Sequence, residues 1–118
     1  MVVADDHAGA RRAVRRVLEW NAGFDLVGEA GDGRSAVVLC VLARPDVALI
    51  DVRMPDMGGF EAVRAIRAAL PAARVVLFTA FADAAARAQA HAAGATALVG
   101  KDAPLDELLA VLRGVPAA

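Results

Sequence analysis

The sequence predicts an α/β domain: a doubly wound, five-stranded parallel sheet covered by five helices. Three observations predict it. Short apolar runs alternate with segments of helical periodicity from one end of the chain to the other. Two of those runs, VALI and VVLF, are continuously apolar rather than alternating, as parallel strands covered on both faces are. Polar residues that can do chemistry recur just past the runs, where ligands bind in open sheets of this kind.

The elements follow in order. The first strand is read at residues 2–4. A helix follows at 8–20, where Ala10, Ala13, Val14, Val17 and Leu18 form an apolar stripe. Arg11, Arg12, Arg15 and Arg16 take the other side, as a solvated face with partner docking as its alternative. Trp20, near the end of that helix, is expected to pack partly. The second strand is read at 24–29 and its helix at 33–43. There Cys40 sits among Val37, Val38, Leu39, Val41 and Leu42 and reads as core filler. Pro45 leads into the third strand at 47–50. Gly58 and Gly59 open the third helix at 58–69, and Pro71 stops it. The fourth strand is 75–78 and the fourth helix 83–93, with His91 a plain polar position. Gly94 suits the end of that helix. The fifth strand is 97–99, and Pro104 suits the first turn of a last helix at 104–113. The Met54-Pro55 pair shapes the loop after the third strand.

Length and composition narrow the function. At 118 residues the chain is one domain, 1–118, large enough for a core without disulfide or metal staples. Apolar residues reach 58%, a figure inflated by alanine. No apolar run approaches the roughly 18 residues that span a membrane, and the start lacks the pattern of a signal peptide. Cys40 is the single cysteine, so no disulfide framework exists. A cytoplasmic protein without a membrane partner is expected. The net charge of −1 lacks the basic footprint of a nucleic-acid binder.

The chemistry gathers at one edge. Asp5 and Asp6 follow the first strand, Asp51 the third, Thr79 ends the fourth and Lys101 follows the fifth. Lys101 is the only lysine in a chain whose other basic residues are arginine. A lysine offers a compact point charge, where arginine offers a planar fork. Three converging carboxylates repel one another, and a hard divalent cation such as Mg²⁺ resolves that. A hydroxyl and an ammonium beside them suit phosphate oxygens. A carboxylate nucleophile, Mg²⁺, a lysine and a hydroxyl are the parts needed to move a phosphoryl group onto aspartate. Helix caps, turn acids and a surface lysine are the plain alternative, weakened because the matches all fall at strand ends. His7, beside the acid pair, reads as a surface residue rather than a metal ligand.

In VVADDH, ALIDVRMPDMGG, VVLFTA and GATALVGKD the chain resembles the receiver domain of two-component response regulators. The resemblance covers the whole chain and implies a flavodoxin-like sheet of order 2-1-3-4-5. It makes Asp51 the phosphoacceptor, attacking the phosphohistidine of a sensor histidine kinase. Asp6 would bind Mg²⁺ directly and Asp5 through water, with Asp51 and the backbone carbonyl of Arg53 completing the protein ligands. Lys101 would pair with the phosphoryl oxygens. Thr79 would bond one of them and draw the following loop inward, with Ala80 leaving room. Such a domain is a timed switch, not an enzyme with a separate substrate.

DDH, VGEAGDG and KD further resemble the NarL/FixJ subfamily. That implies transcriptional output through a C-terminal helix-turn-helix domain that binds DNA and is absent from this chain. It also admits a homodimer on phosphorylation, through helices one and five. The match puts Ala97 where the family usually has an aromatic that turns inward with the threonine, and the chain has no tyrosine. A degenerate or stand-alone receiver that only binds proteins is therefore the alternative. A haloacid-dehalogenase-type phosphatase fits less well, since its D-x-D motif follows strand one whereas here the acids are adjacent.

Overall fold

The computed structural model describes residues 1–20 and 24–114. Among these, the strands are β1 (Val2–Ala4), β2 (Gly28–Ala30), β3 (Val47–Asp51), β4 (Arg74–Thr79) and β5 (Ala97–Gly100). The helices are α1 (Ala8–Glu19), α2 (Gly33–Ala43), α3 (Gly59–Ala69), α4 (Ala84–Ala93) and α5 (Leu105–Arg113). The strands form one parallel sheet in the order β2-β1-β3-β4-β5. The expected architecture and strand order are both observed.

Side chains alternate across a strand, so residue parity assigns each to a face. Val2, Ala4, Ala48, Ile50, Val75, Leu77 and Leu98 face Ala36 and Cys40 of α2, Val63 and Ile66 of α3, and Ala90 and Ala93 of α4. Met1, Val3, Val47, Leu49, Val76 and Val99 face Leu18 of α1 and Leu108, Leu109 and Leu112 of α5. With both faces covered, every residue of β3 is buried, which is why its sequence is continuously apolar up to Asp51. Ile50 and Leu77 are fully buried, and each such side chain contributes about 1.5–3 kcal/mol relative to exposure.

Local chemistry sets the helix ends. Asp32 caps α2 by accepting the Ser35 N–H at 2.7 Å, and Asp83 caps α4 by accepting the Ala86 N–H at 2.8 Å. Gly94 ends α4 in the left-handed region at φ 91°, as expected of a glycine there. Pro104 stands at the N-cap of α5, one residue before the first turn where it was expected.

Three expectations need correction. The second strand is Gly28–Ala30 rather than 24–29, because β2 pairs only with β1 and β1 is three residues long. Phe24 and Leu26 instead pack against the α1/α5 side of the core. Trp20 is 89% exposed rather than partly packed. It is the C-cap of α1, past the last helical residue Glu19, and follows Arg16 at i+4 rather than extending the line of Val14 and Leu18. Part of the apolar run in α2 also faces outward: Val38, Val41 and Leu42 are exposed, while Cys40 is buried as expected.

Candidate functional site

The register fixes the site. Ala4 pairs with Ile50 across β1 and β3, so residues 5 and 51 leave the sheet side by side. By parity Asp5, Asp51 and Lys101 continue the face of Val3, Leu49 and Val99, and Thr79 continues the opposite face of Val75 and Leu77. The Lys101 N–H donates to the Thr79 carbonyl at 2.7 Å, which carries the β4–β5 pairing one step further and aims the lysine back over the sheet edge. Its ammonium lies 5.7 Å from the centroid of the Phe78 ring.

Asp5 is 3% exposed and Asp51 5%. Acids buried this deeply need partners. The Lys101 ammonium is 2.9 Å from Asp51 Oδ2 and 3.4 Å from Asp5 Oδ2, so one cation is shared by two carboxylates. Backbone donors take the other oxygens: Arg53 N–H reaches Asp51 Oδ1 at 3.2 Å and His7 N–H reaches Asp5 Oδ1 at 2.9 Å. Asp6 is exposed, and His7 Nδ1 lies 2.9 Å from its Oδ1. Partial burial works to lower the Lys101 pKa, but the hydrogen bond and charge of Asp51, then those of Asp5, raise it above the ordinary lysine value.

Three carboxylates and one ammonium leave an excess of two negative charges at the edge. Ligand atoms of Asp5, Asp6 and His7 lie within 4.8 Å of one another. Each carboxylate keeps lone pairs beyond the bonds above. That group leaves out Asp51, which reaches Asp5 only through the shared Lys101 ammonium; the two carboxylates of the group are the kind of hard oxygen donors that suit Mg²⁺.

Thr79, 5% exposed, borders this group without joining it. Its hydroxyl accepts the N–H of Phe81 at 3.2 Å. Ala97 pairs with Val76 and lies on the α1/α5 face, whereas Leu98 shares the face of Thr79. The strand-five side chain able to follow Thr79 is therefore Leu98 rather than Ala97, and it is no ring either.

Sequence reasoning missed two parts of the site and reached a third, the Arg53 and Phe81 pair, only as groups placed to hinder or orient attacking water. Gly59 opens the third helix as expected, but a Cβ there would also lie 2.5 Å from the Asp51 carbonyl oxygen, so glycine lets α3 start against the loop that carries Asp51. Phe78 was read as core, and its ring lies under the lysine. Arg53 stacks its guanidinium 5.5 Å from the Phe81 ring centroid, across the mouth of the site. The only sequence signal for that pair is its spacing, two residues past Asp51 and two past Thr79. Of the four α1 arginines, Arg11 donates to the Asp5 carbonyl and Arg15 pairs with Glu19 and Glu29, so half of that face is tied down.

The family model described as the response regulator receiver domain matches residues 1–113. The chain belongs to that family. Among curated proteins, this receiver domain is 34% identical to the response regulator UvrY of Escherichia coli (strain K12) over 98% of its own length and 53% of that protein. It is 36% identical to the DNA-binding transcriptional activator DevR/DosR of Mycobacterium tuberculosis, again over 98% of this chain and 53% of the relative. The chain thus spans about half the length of the curated relatives it matches. The solved receiver domain of the putative response regulator NarL from Mycobacterium tuberculosis superposes with a TM-score of 0.86 at 38% identity, covering 96% of this chain and 94% of that one. A two-component response regulator of the LuxR family from Aurantimonas sp. gives 0.90 at 36% identity, covering 99% and 86%. Receiver domains are signalling switches, and no enzyme family is indicated. Among the described residues no helix is long and apolar enough to cross a membrane.

Proposed function

We propose that this receiver domain takes a phosphoryl group from the phosphohistidine of a sensor kinase onto Asp51. An Asp51 carboxylate oxygen attacks phosphorus, the P–N bond breaks, and the imidazole leaves. The observation that carries this reading is the single ammonium of Lys101 shared between two buried carboxylates, 2.9 and 3.4 Å away. A structural ion pair would be balanced; this one leaves its acids underneutralised and ready for a cation and a phosphoryl group.

Asp5, Asp6, Asp51 and the Arg53 carbonyl are the groups that would hold Mg²⁺, which supplies neutralising charge for phosphoryl oxygens when bound. Lys101 sits where its ammonium can move from Asp51 Oδ2 to a phosphoryl oxygen with little displacement. Phosphoryl transfer asks the protein mainly for such positioning and charge. Thr79, by rotating, offers its hydroxyl to the same group, and Ala80 leaves space. Hydrolysis of the acyl phosphate resets the switch. The name of one relative, a DNA-binding transcriptional activator, supports transcriptional output through a DNA-binding domain outside this chain; a cytoplasmic place and dimerisation on phosphorylation belong to the same reading.

Incubation with Mg²⁺ and acetyl phosphate, read by intact mass, tests the proposal. A phosphoryl adduct that needs both Mg²⁺ and Asp51 is expected, with Asp51→Asn as control. A folded protein that gives no adduct and ignores beryllofluoride would instead be a protein-interaction module. That second reading draws on Leu98 and Ala97, which leave β5 without an aromatic switch.

A further inference from the structure

We propose that Phe81, held between the Thr79 hydroxyl and the Arg53 guanidinium, carries the state of the phosphorylation site to the surface of this chain. The inference rests on Asp51 being the phosphoacceptor, and goes beyond it by naming how the signal leaves.

Two bonds tie Phe81 to the site from opposite sides. Its N–H donates to Thr79 Oγ1 at 3.2 Å, and its ring lies 5.5 Å from the guanidinium of Arg53. Arg53 in turn donates its own N–H to Asp51 Oδ1 at 3.2 Å. The ring thus bridges the loops after β3 and β4. It is 64% exposed, although a large apolar side chain gains most by burial. A buried route through β5 is closed, because Leu98 is packed against α4 and the next residue on that face is Gly100.

One event disturbs both ties. Thr79 continues one face of the sheet and Asp51 the other, so turning the hydroxyl toward a phosphoryl group on Asp51 swings Oγ1 away from the Phe81 N–H. The same group offers Arg53, two residues along, a charged acceptor far stronger than a solvent-exposed ring face. Thr79 lets go of the backbone of Phe81 while Arg53 lets go of its ring. The exposed ring then takes a new position, which a partner surface can read.

The test places a fluorophore on the ring position. Trp20 is exposed and replaceable, so Trp20→Phe combined with Phe81→Trp leaves one tryptophan in the chain. Emission wavelength and acrylamide quenching are recorded before and after Mg²⁺ with acetyl phosphate, with adduct occupancy measured by mass. An emission shift in step with the adduct is expected. Adding Thr79→Ala should shrink the shift at equal occupancy, since only the Arg53 contact then responds, and Thr79→Ser should restore it in full. Adding Arg53→Gln should raise quenching before phosphorylation and leave a smaller shift after it, carried by the Thr79 contact alone. A full adduct with unchanged emission overturns the inference and leaves the phosphorylation reading standing. The same shift in Thr79→Ala also overturns it. Absence of any adduct overturns both.

Discussion

The two edges of the sheet each hold one basic side chain at their centre, and they hold it differently. At the edge away from the acids, Arg67 spreads its fork over neutral acceptors. Nε donates to the Gly94 carbonyl at 3.0 Å, Nη1 to the carbonyls of Pro71 and Ala73, and Nη2 to Thr96 Oγ1 at 3.1 Å. Thr96 Oγ1 also accepts the Val75 N–H at 3.0 Å. At the opposite edge the Lys101 ammonium, beside the Phe78 ring, bonds to carboxylates, and to more of them than one charge can neutralise. The planar fork of arginine matches several fixed carbonyls at once, while lysine is a point charge on a flexible stem that can change partners. One edge is a staple between loops. The other is a charge imbalance kept for chemistry. Substitutions should therefore separate stability from phosphorylation, edge by edge.

The largest effect is expected at Asp51. Asp51→Asn should abolish the adduct outright, and it should do so without loss of stability. Lys101 keeps Asp5 as partner, and the cluster loses one of its excess negative charges. Urea denaturation checks this. A lower midpoint would mean that the Asp51–Lys101 pair is a structural bridge, and the contrast between the edges would fail. Lys101→Met comes next. It removes the one cation facing the transferred group, so adduct formation should slow by about 100-fold, the usual cost of losing one preorganised electrostatic contact.

Arg67→Met should do the reverse. It takes this donor from two partly buried carbonyls, those of Gly94 and Ala73, each costing about 1–3 kcal/mol, and the summed loss should be roughly 2–4 kcal/mol by urea denaturation. Adduct formation under native conditions should not change. A slower adduct in that variant would mean that the two edges are coupled through the sheet.

The contrast also explains what the sequence could and could not tell. Val47 to Ile50 and Val75 to Phe78 announced buried parallel strands, because burial on both faces leaves an unbroken apolar run. Asp5, Asp51, Thr79 and Lys101 were legible because strand ends are set by those runs. Other features depend on which neighbour lies alongside. β2 is short because β1 is short, a pairing limit that no run in the sequence of β2 records. Trp20 looked like packing material until its place at the C-cap of α1, out of line with Val14 and Leu18, turned it outward. Arg67 gave no signal at all, since its acceptors are backbone carbonyls and a hydroxyl brought together only by the fold. Ala97 and Leu98 are adjacent in sequence, and strand parity, not residue type, decides which of them faces Thr79.

The smallest expected effect is the one that reads the imbalance most directly. The Lys101 ammonium is lowered by partial burial but raised more by the hydrogen bond and charge of Asp51 and then by Asp5, so its folded pKa stands above the ordinary lysine value. A raised folded value means that its contribution to stability is complete below the unfolded pKa and is lost as pH rises through the folded one. The stability gap between the native chain and Lys101→Met should therefore close only at strongly alkaline pH. The chain makes this measurable: with one lysine, reductive ¹³C-methylation labels only Lys101 and the α-amino group. The Lys101 methyl resonance should titrate above the ordinary lysine value in the free protein. Asp51→Asn should move that titration down, since it removes the larger of the two carboxylate contributions. Saturating Mg²⁺ should move it down as well, because a dication among the same carboxylates competes with the ammonium for their charge. A titration that Asp51→Asn shifts and Mg²⁺ does not would mean that the acids neutralise the lysine without holding the metal beside it.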